Sequence, residues 1–180
     1  VISSVKSLLL LPVKILGDIC CCCFPADASA LRPNGKLVKL EKLCIGDEVI
    51  VMDSGGRFKA SRVYAFGHRD SSRQESFLKL TARSSETGEI YECRMTQDHR
   101  VPVQKKGTSF FEYVRVCEIS AGDLVYVAQH WHCENQRIAD KESSTAEVTK
   151  VCESQERGIF APFTEDGTVL IDGVVASCYA

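Results

Sequence analysis

Residues 39–51 read KLEKLCIGDEVIV, and residues 115–127 repeat the same plan as RVCEISAGDLVYV. Each copy has an apolar stretch and a turn before Gly-Asp, followed by a valine-rich run typical of a strand. Another strand-like segment follows each copy, at residues 61–66 and 146–151. Repetition of one strand-turn-strand unit predicts a duplicated domain whose halves bury their apolar faces against each other.

The rest of the chain also has the pattern of short strands. Runs rich in β-branched and aromatic residues often alternate between apolar and polar positions, and turn residues such as Gly, Asp and Ser separate them. No stretch keeps a helical period between capping residues. The sequence therefore predicts an all-β fold, with strands at residues 37–40, 48–52, 62–66, 77–81 and 90–95.

Composition narrows the class of protein. The 180 residues are 44% hydrophobic and 26% charged, which suits one globular domain with its own core. The net charge is −2 and no basic stripe is present, which argues against a nucleic-acid partner. Ten cysteines suit an oxidising compartment, and beyond residues 20–23 their spacing is irregular.

The first 22 residues differ from the remainder. Residues 7–16 are apolar, but Pro12 and Lys14 interrupt them and the run is too short to span a bilayer. No small-residue cleavage site of a signal peptide follows. We expect residues 1–22 to be an upstream, partly disordered segment and residues 23–180 to form the domain.

Four consecutive cysteines, Cys20-Cys21-Cys22-Cys23, precede Phe24. Such a run fits a palmitoylation or metal-binding cluster, halves of disulfides, or a nucleophile near a chain junction. The later Thr96-Gln97-Asp98-His99 favours the nucleophile, because it supplies a histidine for proton transfer.

Several motifs together carry a family resemblance. They are CFPAD at residues 23–27, the Gly46-Asp47 strand, Thr96-x-x-His99, GDLVYV at 122–127, APFT at 161–164 and GTVLIDGVVASCYA at 167–180. In order and spacing the chain resembles, from Cys23 to its end, the C-terminal autoprocessing domain of Hedgehog proteins, which shares the Hint fold with inteins. The resemblance implies two pseudo-symmetric β-subdomains in a flattened, horseshoe-like disc.

The resemblance also implies a chemistry. Cys23 would attack the preceding carbonyl and convert the scissile Cys22–Cys23 amide into a thioester, as a single-turnover, self-processing cysteine endopeptidase and acyl transferase. His99 would deliver a proton to the departing nitrogen. Thr96 would orient the scissile peptide or stabilise the oxyanion.

The second step separates members of the superfamily. Splicing inteins end in His-Asn, whereas this chain ends Ser177-Cys178-Tyr179-Ala180, so splicing is not expected. Hedgehog domains instead transfer the acyl group to cholesterol. The resemblance thus implies cholesterol as co-substrate, no cofactor or metal, the chain's own upstream segment as substrate, and a monomer. It further implies passage through the endoplasmic reticulum and a secreted or membrane-attached product. The sterol-recognition region that follows the Hint part in Hedgehog proteins is missing from this sequence.

Two departures from the family stand near the chemistry. His68 occupies the position of the aspartate credited with activating the sterol. Three interpretations are open: His68 replaces that base, serves another acceptor such as water, or marks an impaired transfer step. Nearby Asp70 is a further candidate for the base. We favour His68 as a functional substitute. The family also places glycine before the nucleophile, whereas this chain has Cys22, and exchange among Cys20, Cys21 and Cys22 leaves the cleavage position less certain.

The remaining cysteines and histidines have simpler interpretations. Cys178 matches a family cysteine able to pair with the nucleophile, or is a small core thiol. His130-Trp131-His132-Cys133 lacks further ligands for zinc, so we predict no metal site. Alternative functions are a secreted, disulfide-stapled module without catalysis, and a Hint domain whose thioester is resolved by water or another nucleophile. We expect core thiols at Cys44, Cys93, Cys117 and Cys152.

Overall fold

The computed structural model describes residues 22–133 and 138–179, and within them the chain is all-β. Two single-turn 3-10 helices, Leu40–Lys42 and Val116–Glu118, are the only helical elements of these residues, and neither is long enough to cross a membrane. The eleven strands are β1 Ser29–Leu31, β2 Leu37–Lys39, β3 Glu48–Met52, β4 Phe58–Arg83, β5 Ile90–Met95, β6 Arg100–Gln104, β7 Glu112–Arg115, β8 Leu124–Val127, β9 Ser144–Thr164, β10 Thr168–Ile171 and β11 Val174–Ser177.

All strand pairs are antiparallel, and their order along the sheet is β2-β1-β10-β11-β8-β9-β4-β3. Outside this path, β5 pairs with β4, and β6 pairs with both β7 and β8. The strands enclose one large apolar cluster, to which both copies of the repeated unit contribute. The prediction of an all-β fold is confirmed.

Two long strands, β4 and β9, join the halves of the domain. The sequence predicts residues 62–66 and 77–81 as separate strands, whereas the structure makes both part of the 26-residue β4. The prediction of short strands fails here because β4 and β9 pair along most of their length through four register shifts. Such irregularities bend a strand without ending it, so one strand serves both halves. Strands β3 and β5 have the predicted bounds.

The predicted duplication is visible as matching hydrogen bonds. Gly46 and Gly122 both have φ of 93°, and each donates its amide hydrogen to a carbonyl on a long strand at 2.8 Å, Val63 in one half and Val148 in the other. A side chain other than hydrogen is disfavoured at this backbone conformation, which explains the glycine in both copies. The two Gly-Asp turns are therefore the same structural unit.

The aspartates of these turns also have matching roles. Asp47 accepts a hydrogen bond from the Cys44 amide at 2.9 Å, and Asp123 accepts one from the Ser120 amide at 2.9 Å. Each also forms an ion pair at 2.9 Å, with Arg32 in the first half and Lys105 in the second. Each carboxylate thus fixes its turn through a local amide and a distant cation.

The core-thiol prediction holds for Cys93, which is fully buried, but is wrong for three other cysteines. Cys44 and Cys117 are exposed and Cys152 is half-buried. Cys117 lies inside one 3-10 helix and Cys44 two residues past the other, where one short turn can bury only part of its side chains. Apolar neighbours in the sequence did not distinguish these positions from core positions.

Candidate active site

Cys23 is held against β9 by its neighbour. The amide of Phe24 donates to the Phe160 carbonyl, and the Phe160 amide donates back to Phe24, both at 2.9 Å. The Cys23 side chain is fully buried and packs in a small apolar cluster with Phe77, Ile159 and Ala161. The proposed nucleophile therefore occupies a dry, fixed position on a sheet.

A glycine on β9 makes room for the segment that carries the nucleophile. Gly158 has φ of +84°, and a Cβ there would lie 2.6 Å from the Cβ of Ala26. The Ala26 amide donates to the Arg157 carbonyl at 2.9 Å, so the two backbones are in direct contact. Only glycine allows this approach.

Thr96 is brought to the scissile bond by two hydrogen bonds. The Cys23 amide donates to Thr96 Oγ1 at 3.0 Å, and the Thr96 amide donates to the Cys23 carbonyl at 3.0 Å. The Cys23 nitrogen, which is hydrogen-bonded to Thr96, is the atom that would leave when the peptide bond before Cys23 breaks. The hydroxyl thus lies beside the nitrogen of the bond that is predicted to break.

His99 is fully buried beside this pair. Its ring centroid lies 4.4 Å from that of Phe24, and Nε2 lies 2.9 Å from the Ser177 carbonyl oxygen. Burial lowers the pKa of His99 to about 4, although the bond to the Ser177 carbonyl acts in the opposite direction. Among the described residues Nδ1 has no hydrogen-bond partner.

These contacts define the protonation state of the ring. A carbonyl oxygen only accepts, so Nε2 carries the hydrogen and Nδ1 presents a lone pair near neutral pH. The sequence predicts His99 as the acid for the departing nitrogen. The geometry adds an earlier task, because a neutral ring must first take up a proton before it can donate one.

Cys23 is disulfide-bonded in the structure. Nucleophilic attack requires a thiolate, so reduction has to precede any reaction at this sulfur. Cys22, on the other side of the predicted scissile bond, is half-buried. Cys20 and Cys21 lie outside the described residues, as do residues 1–19 of the predicted upstream segment.

His68 lies on β4 at a bulge. Phe66 pairs with Pro162 and Arg69 pairs with Phe160, so Gly67 and His68 together face the single residue Ala161. The bridge between Phe24 and Phe160 continues the same row on the other side of β9, which places Cys23 beside Ala161. Two strand spacings separate the bulge from Cys23, about 10 Å between backbones.

Asp70, the other candidate base, lies at the surface and is occupied locally. Its Oδ1 accepts from the Ser72 hydroxyl at 2.7 Å and from the Ser72 amide at 2.8 Å. These hydrogen bonds lower the pKa of Asp70, the side-chain bond most. A carboxylate held in this way is a weak base, and the choice of His68 as the base stays a prediction.

Cys178 is a buried free thiol in the structure and is not joined to Cys23. Its Sγ lies 3.5 Å from Thr164 Oγ1, and burial raises the pKa of the thiol. It follows Ser177, whose carbonyl contacts His99, so it lies close to that histidine. Its role as a redox partner of the nucleophile stays a prediction.

The His130-Trp131-His132-Cys133 segment docks on a carboxylate. His132 Nδ1 lies 3.1 Å from Glu89 Oε1, and the His130 amide donates to Glu89 Oε2 at 3.0 Å. No group of three or more His, Cys, Asp or Glu side chains in the described ranges has an arrangement suited to a metal ion.

The Ser177 carbonyl is the contact that sequence reasoning missed. Backbone atoms carry no side-chain signal, and Ser177 lies 78 residues from His99 along the chain. The only sequence signal for this contact was indirect: Ser177 belongs to the closing motif that also contains Cys178.

Comparisons with known proteins show the family and the fold of this chain. A family model described as the Hint module matches residues 20–180. Over 158 residues the chain is 29% identical to protein hedgehog of Drosophila virilis and 28% identical to that of Drosophila melanogaster. These alignments cover 88% of this chain but only 30% and 31% of those proteins, so the chain spans less than a third of their length.

Solved structures with a similar fold include inteins. The Ssp DnaB mini-intein variant M86 superposes with a TM-score of 0.67 at 12% identity, over 87% of this chain and 92% of the intein. A bacterial intein-like domain from Clostridium thermocellum superposes with a TM-score of 0.60 at 16% identity, over 86% of this chain and 97% of that domain. At these identities the likeness is one of fold.

Proposed function

The chain belongs to the Hint-module family of intein-like autoprocessing domains, and we propose that it cleaves its own backbone before Cys23 and passes the upstream segment to an external nucleophile. The observation that carries this proposal is the pair of hydrogen bonds between Thr96 and Cys23, which fixes the leaving nitrogen next to the buried His99. A disulfide-stapled binding module is less well supported, because six of the described cysteines carry free thiols, namely Cys44, Cys93, Cys117, Cys133, Cys152 and Cys178.

In the first step the reduced Cys23 sulfur attacks the carbonyl carbon of Cys22. His99 Nδ1 takes the thiol proton, a C–S bond forms and the C–N bond breaks. The same proton then passes to the Cys23 nitrogen, which leaves as an amine. A lowered pKa suits this shuttle, because the ring is neutral before the reaction and the imidazolium formed is a strong acid.

In the second step an alcohol attacks the thioester. A C–O bond forms, the C–S bond breaks with its electrons returning to Cys23, and the hydroxyl proton goes to a base. His68 is the proposed base, supported by its place on a bulge in the same row as Cys23. By likeness to the family the acceptor is cholesterol and the pathway is secretory; water or another nucleophile is the alternative.

Thioester formation is tested with a reporter domain fused upstream of residue 1. The fusion is reduced with a phosphine, which opens disulfides without attacking thioesters, and then treated with dithiothreitol. Cleavage at Cys23 by dithiothreitol, and its loss in Cys23→Ala and His99→Ala, is the expected result. An intact reporter in the reduced parent chain would refute the proposal.

The base is tested separately. Parent, His68→Ala and His68→Asp chains are offered cholesterol in a fusion that carries a sterol-recognition region downstream, and the cleaved reporter is weighed by mass spectrometry. Loss of the sterol adduct in His68→Ala, with cleavage by dithiothreitol retained, is expected. Equal transfer by parent and His68→Ala would show that His68 is not the base.

A further inference from the structure

We propose that Tyr64, Phe163 and Tyr179 form an apolar binding platform for the acceptor alcohol, and so determine which nucleophile resolves the thioester. We call these three side chains the aromatic platform. The inference rests on the proposed function and names the acceptor as an alcohol with an apolar body.

The three rings form one continuous surface. Phe163 lies in the middle, with its ring centroid 6.3 Å from that of Tyr64 and 5.5 Å from that of Tyr179. The hydroxyls of Tyr64 and Tyr179 lie 3.0 Å apart and form a hydrogen bond. Tyr64 and Tyr179 are 45% and 47% exposed, while Phe163 is half-buried. Solvent therefore reaches a patch built of ring faces.

One member of the aromatic platform, Phe163, belongs to the same row of alternate β9 residues as the side chains that pack on the nucleophile. Side chains two residues apart on a strand share a face, so Ile159, Ala161 and Phe163 project from one side of β9. Cys23 packs on the first two of these. Phe163 is two residues beyond Ala161, a distance of about 7 Å along the strand.

The aromatic platform also borders the candidate base. A Cβ added to Gly67 would lie 2.8 Å from the Phe163 ring, so the ring rests directly on the backbone next to His68. Glycine at the first position of the bulge therefore lets the aromatic ring approach His68. An acceptor bound on the rings would place its hydroxyl between the base and the thioester.

The other end of the aromatic platform connects to the catalytic histidine. The Tyr179 amide donates to the Ser177 hydroxyl at 2.9 Å, and the carbonyl of the same serine contacts His99 Nε2. The segment that positions His99 thus also positions the third ring of the platform.

The chemistry of the surface favours an apolar ligand. The three side chains are aromatic, and the two phenol hydroxyls are hydrogen-bonded to each other. The hydrogen bond to Tyr64 and burial raise the pKa of Tyr179 to about 12, so this hydroxyl stays protonated. What the platform offers is ring surface, which binds apolar rings and chains.

The test compares two probes that carry the same nucleophilic amine. O-methylhydroxylamine and O-benzylhydroxylamine both cleave a thioester: a C–N bond forms, the C–S bond breaks with its electrons returning to sulfur, and the amine loses a proton to buffer. Neither needs His68, so the ratio of their rates reports binding of the benzyl group. A small-molecule thioester gives the intrinsic ratio for correction.

We expect the reduced parent fusion to prefer the benzyl probe by roughly ten-fold, as for about 60 Å² of apolar surface removed from water. Phe163→Ala and Tyr179→Ala should bring the corrected ratio close to one while cleavage by O-methylhydroxylamine continues. Phe110→Ala, which removes a 60% exposed aromatic ring outside the platform, should leave the ratio unchanged.

The outcomes separate this inference from the proposed function. A parent ratio of one, or a preference that survives both Phe163→Ala and Tyr179→Ala, overturns the platform and leaves thioester formation standing. A parent that O-methylhydroxylamine does not cleave overturns the proposed function and the platform with it. Cleavage by O-methylhydroxylamine also shows that each variant is folded. If Phe163→Ala is no longer cleaved by O-methylhydroxylamine, the rate ratios of Phe163→Leu and Tyr179→Ala decide whether the platform binds the benzyl group.

Discussion

The protonation of His99 should make folding stability depend on pH in a direction that the structure fixes. In the unfolded chain the imidazole binds a proton below about pH 6.5, whereas in the folded protein burial lowers the pKa to about 4. This group therefore contributes full stability above pH 6.5 and loses it as pH falls toward 4. One pKa unit corresponds to about 1.4 kcal/mol, so the loss is about 3 kcal/mol.

A second buried group acts in the opposite direction. Burial raises the pKa of Asp172 from 3.8 to about 6, against the hydrogen bond that its Oδ1 accepts from the Ser29 amide. The folded protein takes up this proton below pH 6 and the unfolded chain only below 3.8, so stability rises by about 3 kcal/mol as pH falls through this window. In the parent chain the two contributions nearly cancel.

Asp172→Asn should therefore reveal the loss due to His99. We expect Asp172→Asn to lose about 3 kcal/mol of unfolding free energy between pH 6.5 and 4, relative to Asp172→Asn/His99→Gln. Both chains also carry Cys23→Ala, which prevents cleavage. Contributions from surface carboxylates are common to the two chains and vanish in the difference.

Urea unfolding followed by circular dichroism at steps of half a pH unit measures the free energies. Nitrogen-detected NMR of the imidazole in the folded Cys23→Ala chain measures the pKa directly. An imidazole that titrates between pH 6 and 7, or two variants whose stabilities fall in parallel, would refute the neutral buried ring. The proton shuttle built on it would then also fail.

Two substitutions next to the nucleophile have expected results with matched controls. Thr96→Val leaves the buried amide of Cys23 without an acceptor, which costs about 1–3 kcal/mol. Cleavage by O-methylhydroxylamine should therefore slow roughly 10- to 100-fold in Thr96→Val, whereas the rate of Thr96→Ser should stay close to that of the parent. Equal rates for the two variants would exclude the hydrogen bond as the cause. In Gly158→Ala the added Cβ would lie 2.6 Å from the Cβ of Ala26. We expect this substitution to lower the free energy of unfolding in urea by at least about 2 kcal/mol and to slow cleavage. Gly107→Ala, with a similar φ of +87° and no atom within 4 Å, should cost about 1 kcal/mol and leave cleavage unchanged; equal losses would contradict the contact.

The fold was predictable where a signal is local. The repeated Gly-Asp turns require glycine at a left-handed backbone position and aspartate to bind the turn amides, so both copies keep the same letters. The length of β4 was not predictable in this way. Its residues between 67 and 76 are mostly polar and include Gly67, so they have the composition of a loop, and only pairing with β9 makes them a strand.

The site was predictable as a set of residues but not as a geometry. Cys23, Thr96 and His99 follow from residue types and order. The burial of His99 depends on β11, which ends at Ser177, the residue that accepts its Nε2 hydrogen. Contacts over such sequence distances are set by the packing of the whole sheet, so the lowered pKa of the ring had no local signal.

The duplication accounts for how the proposed proton-transfer residues come to lie in only one of two equivalent turns. The Ala28 amide donates to the Pro25 carbonyl, and the His99 amide donates to the Thr96 carbonyl in the same way. In turn the Ala28 and His99 carbonyls accept from the first residues of the two 3-10 helices, both at 2.9 Å. Residues 25–28, PADA, and residues 96–99, TQDH, are therefore the same backbone turn.

Because the structural task of this turn is carried by main-chain atoms, its side chains are open to other uses. The first copy uses proline and alanine, which add no chemistry, and follows directly after Cys23 and Phe24. The second copy places threonine and histidine at the equivalent positions, and the packing of the two halves brings them to the Cys23 amide. In the proposed mechanism, one turn thus supplies the nucleophile's position and the second supplies its proton transfer. That mechanism requires the two halves to be packed together.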